Sequence, residues 1–91
     1  MVRIALANIR FPETPEESIT LSERAIDEAA KGEAEIICFP ECFVPGYRAP
    51  GKNVPAPDAA FLERAWASVA EAAANANIAV ILGTERTVDD A

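Results

Sequence analysis

Apolar residues gather in three short, nearly unbroken runs, 2–9, 34–39 and 78–82, and between the runs they recur every three or four positions. The runs predict strands and the spaced stretches predict helices, because side chains alternate across a strand but return to one helix face about every 3.6 residues. Val2 to Ile9 is apolar at both parities apart from Arg3 and Asn8. That pattern suits a parallel strand covered above and below.

The spaced stretches carry helix boundaries of their own. In Thr14-Pro15-Glu16-Glu17, Thr14 suits the N-cap, Pro15 the first helical position, and Glu17 closes a capping box. Ile19, Ser22, Ile26 and either Ala29 or Ala30 mark a buried stripe, and Gly32 supplies the C′ stop. Asp58 is the N-cap of a second helix with Phe61, Leu62, Ala65, Trp66, Val69, Ala72 and Ala73 at helical spacing, which Asn75 or Asn77 ends. From Pro45 to Pro57 the chain carries four prolines, so this stretch is a stiff surface loop. Gly83-Thr84-Glu85-Arg86 and a frayed acidic tail follow the third run.

The order β-α-β-α-β gives an α/β fold with a parallel sheet and right-handed crossovers. Two helices cannot cover three strands completely. On one face they leave the other bare, and split between faces they cover each only in part. The chain of 91 residues therefore reads as an incomplete domain with open sheet edges, one that demands further chain or a partner.

Composition narrows the function. A hydrophobic share of 51% excludes a disordered chain, and a net charge of -7 without a basic cluster argues against nucleic acid. No apolar run approaches the ~20 residues of a membrane span, and the N-terminus lacks a long apolar region and an A-x-A cleavage site, so no membrane partner and a soluble, cytoplasmic chain are expected. Cys38 and Cys42 are too few for a disulfide framework and lack the histidines of a zinc site. No metal and no cofactor are expected.

One acid stands out by its place. Pro40 cannot donate to a sheet ladder, so the second strand should stop at Phe39 and leave Glu41 at its carboxyl end. In open parallel sheets that edge is where ligands bind, although a lone glutamate there is ordinarily a solvated loop acid.

The blocks VRIALANI, AIDEAAKGEAEIICFPE, CFVPGY and IAVILGTER, taken in order and spacing, resemble the nitrilase superfamily of carbon-nitrogen hydrolases. FPE followed by an aromatic residue and GY is the most specific piece. The resemblance implies the first part of an α-β-β-α sandwich and a Glu, Lys, Cys triad acting on a small amide, carbamoyl compound or nitrile. By position Glu41 would be the triad's glutamate, the general base toward the thiol. Tyr47 would match a tyrosine near the pocket, with anchoring of the loop as its structural role. Glu85 and Arg86 stand either on the pocket rim or at a solvated strand exit.

The sequence also departs from that family. Its lysine and cysteine blocks have no counterpart here: Lys31 sits at a helix end and Lys52 in the Pro-rich loop. Cys38 reads as strand packing, and Cys42, though next to Glu41, reads as core or loop packing. Asn8 stands where family members often have glutamine. The expectation is thus the N-terminal part of a carbon-nitrogen hydrolase domain, inactive alone, that forms a homo-oligomer or associates with the rest of the domain. The alternative is a truncated or degenerate α/β module that folds by association. Glu41 is expected beside the other two strand ends, facing a cavity walled by the Pro45-Gly46 turn.

Overall fold

The computed structural model describes residues 1–87, and the acidic tail expected to fray extends into 88–91, outside the described residues. Its elements are β1 (Ile4–Leu6), α1 (Pro15–Lys31), β2 (Ile36–Cys38), α2 (Ala59–Ala76) and β3 (Ala79–Ile81). The three strands form one parallel sheet in the order β1-β2-β3. Each is shorter than its apolar run, but backbone bonds carry the pairing further: Glu35 donates to Arg3, Ala7 to Cys38 and Phe39 to Ile81.

That strand order decides where the helices go. Both crossovers step in the same direction across the sheet, so right-handed connection puts α1 and α2 on one face. Ala5, Ile37 and Val80 lie side by side in register, and with Ile26, Phe43, Leu62 and Ala65 they belong to one hydrophobic core. The neighbouring rows, Ile4-Ile36-Ala79 and Leu6-Cys38-Ile81, point the other way. Among the described residues nothing packs over their outer members: Leu6 is 76%, Ile81 60% and Ile4 57% exposed. The first run is therefore covered on one side only, contrary to its pattern. Cys38, expected in strand packing, sits half-buried on the uncovered face.

The caps position both helices. The Thr14 hydroxyl accepts the Glu17 amide at 3.1 Å, while the Glu17 carboxylate reaches past the cap to the Glu13 amide at 2.7 Å and takes a two-pronged contact from Arg10. The expected capping box is thus displaced by one residue. At the other end Gly32 has φ -83, and Glu33 takes the left-handed turn at φ 65 instead. Glu33 donates to Ala30 and Ala34 to Ala29, closing a Schellman motif. Asp58 caps α2 through the Phe61 amide, and Asn77, in the left-handed conformation, ends it.

Candidate active site

The chain leaves β2 through a turn that Pro40 makes unavoidable. Phe39 donates the last ladder bond to Ile81, Pro40 has no N–H to continue it, and the Phe43 amide closes back on the Pro40 carbonyl at 3.3 Å. Cys42 reverses the direction with φ 50, a conformation that costs a non-glycine residue free energy. Val44 then rejoins the third strand's exit, donating to Gly83 at 3.2 Å and bridging to Thr84. Glu41 therefore occupies the tip of a short excursion fastened to the β3 side before and after it.

The Glu41 side chain is exposed. Among the described residues it is free of the ion pairs that engage Glu16, Glu17, Glu33 and Glu85. The expected nearness to the β3 exit holds for its backbone, which lies against Gly83. Among the described residues Glu41 faces out and lines neither the hollow beside Tyr47 nor the one between the helix N-termini. Downstream of the cis Val44-Pro45 peptide, Gly46 at φ 146 packs against Val54 and Pro12, so the loop is set against the β1 exit and builds its wall there.

Tyr47 follows that turn. Its ring lies 5.7 Å from Phe11, which in turn meets Phe43 at 6.2 Å. It is 40% exposed and borders a hollow of about 160 Å³ with Phe11, Pro12, Lys52 and Val54. Tyr47 thus both anchors the loop and lines a concavity, but Glu41 is not among that concavity's walls.

Glu85, expected on the pocket rim or at a solvated strand exit, is engaged in an ion pair. Its side chain is only 16% exposed, and both carboxylate oxygens are taken by Arg48, at 2.8 Å from Nε and 2.7 Å from Nη2. The remaining Nη1 of Arg48 donates to the Val54 carbonyl. This pairing holds the guanidinium in its charged form, raising its pKa above the ordinary arginine value. Arg86, its neighbour, is exposed.

Several organising residues were not singled out by pattern. Thr84 accepts the Trp66 indole N–H on its hydroxyl at 3.0 Å and the Cys42 thiol on its carbonyl at 3.8 Å. Gly83, Thr84 and Glu85 in succession thus hold the Glu41 turn, α2 and the Pro-rich loop. The available signal was Gly-Thr-Glu directly after an apolar run, a combination that marks a strand exit but not its partners. An apolar hollow of about 470 Å³ between the two helix N-termini is lined by Pro45, Pro55, Phe61 and Leu62 and carries none of the expected chemistry.

Chemically, the Glu41 turn presents a carboxylate that, among the described residues, is unengaged and able to take up a proton from a group brought to it. No helix is long and apolar enough to cross a membrane, and no group of three His, Cys, Asp or Glu able to hold a metal ion occurs, in both cases among the described residues. Neither the comparison with curated proteins nor that with solved structures gives a match. The sequence model of the carbon-nitrogen hydrolases matches residues 3–90, across every element described above. With that span, the chain belongs to the carbon-nitrogen hydrolase family.

Proposed function

We propose that this chain supplies the general-base part of a carbon-nitrogen hydrolase site, with Glu41 as the base and a small amide, carbamoyl compound or nitrile as substrate. The observation that carries the reading is the free carboxylate of Glu41 on a turn at the carboxyl edge of a parallel sheet. For an amide, Glu41 would take the proton of a cysteine thiol as sulfur attacks the carbonyl carbon. It would pass that proton to the leaving amine as the C–N bond breaks, then deprotonate the water that hydrolyses the thioester. A lysine would stabilise the developing oxyanion. The family's lysine and cysteine blocks have no counterpart among these residues, so the chain is inactive by itself.

The test is complementation. The chain alone should give no turnover on a panel of small amides, carbamoyl compounds and nitriles. Mixed with a carbon-nitrogen hydrolase segment that carries the lysine and cysteine blocks, it should give turnover that Glu41→Gln removes. Turnover indifferent to Glu41→Gln would overturn the assignment.

A second reading is favoured by one observation, the uncovered apolar sheet face. In it the chain is a non-catalytic α/β module completed by association with its own copies or with the rest of a domain. Failure of every complemented mixture to turn over, with binding intact, would decide for it.

A further inference from the structure

The β3 exit carries a residue with no side chain, and its surroundings leave room for none. A Cβ on Gly83 would overlap the carbonyl oxygen of Pro40 and stand 2.9 Å from both the Cys42 nitrogen and the Glu41 Cα. These neighbours are backbone atoms, which cannot swing aside as a side-chain tip would. Elsewhere the chain is less exacting: the same atom on Gly32 would come no nearer than 3.6 Å, and on Gly51 it would meet nothing within 4 Å.

We propose that Gly83 is the positioning residue of Glu41. Its bare Cα is the floor on which the Pro40–Phe43 turn rests, and a side chain there displaces the carboxylate. Phe39 is bound to Ile81 before the turn and Val44 to Gly83 after it, so the strain cannot be relieved by sliding β2 along β3. The turn's own atoms must move. The functional weight of the inference rests on reading Glu41 as the base, but its geometry does not.

Nuclear magnetic resonance on the labelled chain of 91 residues tests it without an activity assay. In the wild type the Val44 amide should exchange with solvent at least ~10-fold more slowly than the Asn53 amide in the exposed loop. In Gly83→Ala the Glu41 and Cys42 amide signals should shift and the Val44 protection should fall roughly tenfold. The signals of the Thr14 and Asp58 caps should stay in place, which separates a local displacement from general loosening. A Gly51→Ala control should leave the Glu41 signals unchanged. Unaltered Glu41 and Cys42 signals and unaltered Val44 protection in folded Gly83→Ala would overturn the proposal. Should that variant not fold, the wild type decides: Val44 exchanging as fast as Asn53 means that the turn is not held. The assay of Glu41→Gln fails or succeeds independently of all these readouts.

Discussion

Arg48 and Glu85, distant in sequence, meet in a two-bond fork of 2.7 and 2.8 Å that ties the loop leaving β2 to the exit of β3. Glu85→Gln keeps the shape but removes the charge, and Arg48→Lys removes the planar fork. Each should lower stability by about 1 kcal/mol, since the pair is only partly shielded from water. Limited proteolysis should then cut within 49–57 sooner than in the wild type. Unchanged denaturation midpoints and cleavage rates would show that the fork is ornamental.

The open sheet face predicts association. At ~100 µM the wild type should scatter light as more than a monomer. Leu6→Glu with Ile81→Glu, at positions already exposed in the single chain, should return it to a monomer with an unchanged circular dichroism spectrum. A wild type that stays monomeric and unfolds cooperatively would remove the need for any partner.

Ser22 is fully buried and its hydroxyl has no partner among the described residues. Ser22→Ala should therefore raise the unfolding free energy by about 1 kcal/mol, because the alanine leaves no unsatisfied group. Chemical denaturation checks the sign, and a loss would mean that the hydroxyl is satisfied in solution.

Glu33 closes α1 at φ 65, and among the described residues its side chain makes only an exposed ion pair with Arg3 at 3.4 Å. Glu33→Gly should be stabilising by about 0.5 kcal/mol, the conformational relief exceeding the lost pair. Thermal unfolding decides, with destabilisation pointing to a stronger Arg3 contact.

The Arg10 fork, helped by the Glu13 amide, lowers the Glu17 carboxyl from the usual 4.5 to about 2. A depressed folded value means that the contribution is present above about 4.5 and disappears as the pH falls toward about 2. The melting temperature should drop across that window in the wild type and drop less in Glu17→Gln. Parallel curves would show that the contact does not form in solution.

How far the sequence reached depended on whether a feature was local. The five elements followed from periodicity, and the Thr14 and Asp58 caps from side-chain chemistry within one turn of each helix start, while the end of α2, open between Asn75 and Asn77, fell on Asn77. The left-handed position fell on Glu33 because Gly32 remained helix-like, a shift of one residue that composition does not encode. Pro40 made the carboxyl-edge position of Glu41 legible. The exposure of Glu41 was not, because it depends on where the Pro-rich loop goes. That course goes with Tyr47 on Phe11 and Arg48 on Glu85, pairings between distant segments that no local pattern announces.

The strand register bears on how the chain reaches this state. Ile36 sits between Ile4 and Ala79, so the two pairings close loops of roughly 30 and 40 residues, whose entropic costs differ by only a few tenths of a kcal/mol. Neither ladder has a head start. α1 and α2 can form within their own segments, whereas β2 is completed only when both distant strands have closed on it. Until they arrive, the segment Ile36-Ile37-Cys38-Phe39 is an unpaired apolar stretch with both edges open, and during synthesis it emerges well before β3 exists.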